Sequence, residues 1–143
     1  MKGIRRFGSR GAAIAVAALV GAVAGTAVTA QAGPSVTPTW TMIVLQNGWT
    51  GGPFATRAPA VTLINGVVVL RGAISTNGTN PVPFTLPAPF RPAKTVYVPV
   101  DMNDATTGRL QINPDGVALA QVNGGNFSNA TGFTSLDGVS FAK

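Results

Sequence analysis

Cysteine, histidine and glutamate are absent from the sequence. Without cysteine, an exported chain has no disulfides and must be held by burial and hydrogen bonding alone. Without histidine and cysteine, the Ser-His-Asp and Cys-His catalytic designs and the usual zinc sites are excluded. Charged residues make up only 10% of the chain, and tyrosine occurs once. Any chemistry must come from four aspartates, a few lysines and arginines, hydroxyls, amides and aromatic rings. No cofactor or metal site is expected from this set. Helical periodicity is missing after residue 32, and no internal repeat is visible.

Charge is concentrated at the start. Lys2, Arg5, Arg6 and Arg10 precede an uncharged Gly11–Val28 run of small and aliphatic residues, and Ala30-Gln31-Ala32 follows. These are the three parts of a secretory signal peptide, with cleavage expected after Ala32. The reading is therefore a signal peptide over 1–32, an extended leader over 33–41 and a single β-domain over 42–143. The protein is expected outside the cell, without stable membrane insertion once the signal is removed. Beyond residue 32, six basic residues face four aspartates, a net charge of +2. They form no cluster or stripe, so nucleic acid is not an expected partner.

The strongest local signal is Pro59–Ile74, where two β-prone runs flank Asn65-Gly66, the favoured pair for a two-residue hairpin turn. This places Val61 opposite Leu70 and Leu63 opposite Val68. Alternation then puts Val61, Leu63, Val68 and Leu70 on a core face that Gly72 and Ile74 continue. The other face carries Thr62, Ile64, Val67, Val69 and Arg71, too apolar for a wet surface, so loops or a second copy of the chain should cover it.

Other strands are expected at Trp40–Leu45, Phe84–Leu86, Lys94–Val100, Arg109–Ile112, Val117–Gln121 and within Gly132–Phe141. Gln46–Trp49 reads as a turn and Thr50–Ala58, Ser75–Pro83, Asp101–Gly108 and Asn123–Gly132 as loops. Three prolines in Leu86–Pro92 exclude a helix and suggest a stiff crossing between sheets or along an edge, and Pro99 suggests an edge position or the strand end. At Asn113-Pro114-Asp115-Gly116, hydrophobicity favours Leu110 opposite Leu119 and Ile112 opposite Val117. Seven to nine short strands separated by turns imply an all-β fold, an antiparallel β-sandwich or small jelly-roll-like barrel.

Four segments in order, Gly66-x-Val68-x-Leu70-x-Gly72-x-Ile74, Leu86-Pro87-x-x-Phe90-Arg91-Pro92, Leu110-x-Ile112-x-x-x-Gly116 and Leu136–Phe141, resemble a β-domain at the C-terminal tips of bacteriophage tail and baseplate proteins. Small secreted actinobacterial proteins carry a similar domain. The resemblance implies a sandwich or barrel that is commonly homotrimeric and in some cases binds cell-surface saccharides. Pro89 departs from the glycine common there, and the signal peptide departs from virion assembly. Ligand binding is thus an analogy of fold.

Sugar sites combine aromatic faces with amides and charged groups. Trp49 with Asn47, Tyr97, and Phe127 with Asn126 are the candidate ligand-binding residues, although core or loop packing is the more ordinary role for each aromatic. Asn123–Asn126 lacks the Lys-Ser/Thr and helix of a phosphate loop. Three functional readings follow. The first is a secreted, non-enzymatic binding or adhesion module for cell-envelope glycans. The second is a self-associating structural protein, possible as a homotrimer. The third is a glycoside hydrolase using Asp101 and Asp104, which share a segment; ordinary turn roles are the alternative for these carboxylates.

Overall fold

The computed structural model describes residues 37–124 and 126–143. The signal segment and residues 33–36 of the leader lie outside the described residues. Ten strands are present among them: β1 (Thr41–Met42), β2 (Trp49–Gly51), β3 (Ala60–Ile64), β4 (Val67–Arg71), β5 (Ala73–Thr76), β6 (Val96–Met102), β7 (Thr106–Ile112), β8 (Ala118–Val122), β9 (Thr134–Ser135) and β10 (Ser140–Ala142). They form a four-stranded sheet in the order β1-β3-β4-β10 and a six-stranded sheet in the order β2-β5-β9-β6-β7-β8. All pairings are antiparallel. The fold is the expected all-β sandwich, with one more strand than the upper expectation. A short helix, α1 (Ser128–Gly132), occupies part of the segment read as a polar loop.

The β3–β4 hairpin has the register dictated by Asn65-Gly66: Val61 faces Leu70, Leu63 faces Val68 and Ile64 faces Val67. Both turn residues have positive φ, as the tight turn requires. Val61, Val68 and Leu70 enter the core, but Leu63 stands at the tip and is exposed. The outer face is covered except at the tip, where Ile64 and Val67 are exposed. The chain before β1 lies across it as a strap, with Thr62 Oγ1 donating to the Thr39 carbonyl at 2.8 Å and the Arg71 guanidinium 4.1 Å from the Trp40 ring centroid.

The run from Val67 to Thr76 does not continue in one sheet. It breaks at Gly72, where φ is +90°, and passes from the four-stranded to the six-stranded sheet. A Cβ there would lie 2.6 Å from the carbonyl oxygens of Arg57 and Ala58. The segment after β9 crosses in the opposite sense at Asp137-Gly138. The two corners are tied together: Gly72 N–H donates to Asp137 Oδ1 at 3.0 Å, and Leu136 N–H to the Gly72 carbonyl at 2.8 Å. Sheet-switching corners of this kind let one chain build both layers of a sandwich.

Three further expectations are corrected. Asp101 is the penultimate residue of β6, and the β6–β7 connection shortens to Asn103–Ala105. Trp49 begins a strand instead of ending a turn, because Trp49–Gly51 pairs with Ile74–Thr76. Across the Asn113–Gly116 turn, Leu110 faces Ala120 and Ile112 faces Ala118, one residue away from the expected register. The inward positions of β8 hold alanines, and the core beside this sheet contains the fully buried Phe84 and Leu86. Residues 81–86 lie along the free edge of β8, accepting from Ala118 and Ala120 and bridging Thr85 to Val117, while Phe84 also bridges to Leu45. This pairing blunts an exposed strand edge, but it precedes Leu86–Pro92, where the prolines implied an extended crossing. A 3-10 turn at Ala88–Phe90 follows it.

The shared core includes Leu70, Ile74, Phe84, Leu86, Met102, Leu110, Ile112 and Leu136, all essentially inaccessible. Burying each such side chain contributes roughly 1.5–3 kcal/mol relative to exposure. The described residues form one compact unit.

Candidate functional site

The sequence-selected residues do not converge. Trp49 is buried, with 4% of its surface accessible, and its Nε1 donates to the Asn80 carbonyl at 2.9 Å. Its ring belongs to the core and offers no stacking face, which corrects its assignment as a sugar platform. Asn47 is exposed but tethered, donating from Nδ2 to the Val82 carbonyl at 2.8 Å. Phe127 is half-buried against the core, and Asn126 Oδ1 accepts from Ser128 N–H at the entry to α1. Tyr97 remains, 56% exposed on β6. Trp49 lies on β2, at the far edge of the six-stranded sheet from the β6–β8 face that carries Tyr97.

What surrounds Tyr97 follows from register. Residues opposite one another in antiparallel strands share a face. On the outer side of β6, β7 and β8, one row is Tyr97, Gln111 and Leu119, and the next is Pro99, Arg109 and Gln121. A third joins Asp101 to Thr107, whose carbonyl accepts from Asn123 N–H at 3.2 Å. The inner positions between them, Val100, Leu110, Ile112, Ala118 and Ala120, are buried, so core packing fixes the outward display.

Arg109 is the hub. Its guanidinium lies 4.7 Å from the Tyr97 ring centroid, and its Nε donates to Gln121 Oε1 at 2.7 Å. A cation over an aromatic face and a planar amide partner hold the guanidinium in one orientation, with its remaining N–H donors available. Gln111 is likewise fixed, donating to Asn113 Oδ1 at 2.9 Å. Pro99, Thr107, Gly108, Arg109, Gln121, Val122 and Asn123 line an open groove of about 790 Å³. Pro99 presents no backbone donor and lies on a part of β6 that the two-residue β9 does not reach. The face therefore combines an aromatic ring, a fixed cation, planar amides, a hydroxyl and, one row on, the Asp101 carboxylate.

Arg109, Gln121, Thr107 and Asn123 were not selected from the sequence. Alternation inside β7 was the signal available for Thr107 and Arg109, which stand beside the buried Gly108 and Leu110, whereas the places of Gln121 and Asn123 depend on the β7–β8 register. Asp101 and Asp104 are separated in role: the first stands in the β6–β7 ladder and the second in the connecting turn, with φ +56°. No group of three metal-ligating side chains occurs among the described residues. No helix among them is long and apolar enough to cross a membrane. No family model, curated protein or solved structure matches the chain.

Proposed function

We propose that the chain is a secreted, non-enzymatic binding module that recognises glycans of the cell envelope through the outer face of β6–β8. The observation that carries this reading is the arrangement of Arg109, stacked on Tyr97 and bonded to Gln121, above an open groove. A sugar ring presents apolar C–H groups on one side and hydroxyls around its rim. Exposed tyrosine and proline surfaces suit the first, and fixed planar donors and acceptors suit the second. Preorganised side chains lose little rotamer entropy on binding, which matters for a shallow site.

A glycan array followed by titration calorimetry on the full chain tests the reading. A bound envelope saccharide should be recovered intact. Arg109→Ala and Tyr97→Ala should each weaken binding at least about tenfold, the effect of losing about 1.4 kcal/mol, with unchanged circular dichroism. Absence of saccharide binding at millimolar ligand would refute it. Self-association is a second reading, favoured by Ile64 and Val67, apolar residues left exposed at the tip of the outer hairpin face.

A further inference from the structure

We infer that Phe54, seated on Phe133, is a second stacking position for the same glycan, so that the surface takes an oligosaccharide. This rests on the proposed glycan reading and extends it.

Phe54 and Ala55 have φ of +54° and +60°, and Asp104 and Ala105 have φ of +56° and +55°. Left-handed backbone is disfavoured for residues with a Cβ and is a genuine outlier for a bulky one. The chain meets the same demand elsewhere with suitable residues, since Asn47-Gly48 and Asn65-Gly66 also have positive φ at both positions. At position 54 it instead carries phenylalanine, and that side chain is 76% exposed. The ring contributes little to the core while burdening its own turn. Strain retained at such a position points to a task outside folding.

Phe54 is not isolated. Its ring centroid is 6.1 Å from that of the half-buried Phe133, with the planes tilted by 47°. Phe133 precedes Thr134, which is buried and pairs with buried Met102. Alternation therefore turns Phe133 outward, on the side that carries Asp101 and Tyr97. Asn103 N–H donates to the Phe133 carbonyl at 3.1 Å, which joins the aromatic pair to the other strained turn, Asn103–Ala105. From Tyr97 to Asp101 the strand covers about 13 Å, with Asn103 and the aromatic pair beyond. A disaccharide at Arg109 would not reach Phe54, whereas a hexasaccharide would. One exposed ring backed by a half-buried ring matches a sugar ring, not a broad protein interface, which needs a large contiguous patch.

The test is calorimetry on the full chain with disaccharides and linear hexasaccharides of glucose, galactose, mannose and N-acetylglucosamine, alongside thermal melts. Phe54→Asn places a residue that tolerates left-handed backbone, so the melting temperature should hold or rise. Its affinity for the best hexasaccharide should fall about tenfold and that for the disaccharide should not change. Ala55→Gly should raise the melting temperature by a few degrees, on the order of 2–5 °C, and leave both affinities intact. Hexasaccharide binding by Phe54→Asn equal to the parent, or a clear loss of its thermal stability, would overturn the inference while leaving the Arg109 site standing. A parent chain that binds none of the sugars would overturn both.

Discussion

Gly72 and Asp137 show what single residues decide in this chain. An alanine at Gly72 would need φ near +90° and would drive its Cβ to 2.6 Å from two carbonyl oxygens. Gly72→Ala should therefore cost more than about 3 kcal/mol or abolish folding, as read by urea denaturation. Asp137→Ala should cost about 1–3 kcal/mol, because it strands the Gly72 N–H beside the corner. Asp137→Asn keeps an acceptor oxygen and should lose much less; equal losses for the two would show that the hydrogen bond is not what matters there. Gly72 and Leu136–Val139 make these corner contacts. Gly116 does similar work, since a Cβ there would lie 2.5 Å from the Leu86 carbonyl oxygen. Such residues speak to the fold and are silent on ligands. The same holds for Trp49: the sequence shows a tryptophan beside a turn, and only long-range pairing with β5 makes it core.

Elements were legible where local chemistry determines them. Asn65-Gly66 fixes a two-residue turn, so the β3–β4 register follows without knowledge of the rest. The β7–β8 register was misread because hydrophobicity assigned Leu119 inward, whereas the structure places Ala118 and Ala120 there. Volume decided that choice, and volume is set by Phe84 and Leu86, more than thirty positions earlier in sequence for the nearest pair. The register itself makes a prediction. Ala120→Leu should overpack the interior and cost about 1–3 kcal/mol, while Leu119→Thr on the outer face should cost less than about 1 kcal/mol. Thermal melts of the two variants would show the reverse order if Leu119 pointed inward. The candidate site was only partly legible for a related reason. Tyr97 could be selected by residue type, but Arg109 and Gln121 become its neighbours through strand pairing.

On the scale of the molecule, the two outer faces differ in kind. The six-stranded sheet displays Arg109, Gln121, Thr107 and Asp101, whereas the four-stranded sheet ends in Leu63, Ile64 and Val67 at the hairpin tip, each about 40% exposed. At the other end of that sheet Met42 and Val44 are also exposed, and the Trp40 strap covers the ground between. The apolar tip is suited to a subunit contact, and a trimer is the assembly that the tail-tip resemblance implies. Light scattering of the full chain should then give three times the monomer mass at micromolar concentration. Ile64→Lys with Val67→Lys should return one monomer mass and keep the circular dichroism spectrum, since neither residue enters the core. A parent protein that is monomeric at every concentration would remove this reading. Assembly and recognition then become separable in one comparison. On such a trimer, three shallow sugar sites would gain apparent affinity by roughly 10²–10⁴-fold on a repeating surface. The double lysine variant should therefore lose most of its adhesion to immobilised polysaccharide while its calorimetric affinity for a free oligosaccharide stays unchanged. Arg109→Ala should lose both, because it acts at the site and not at the contact between copies.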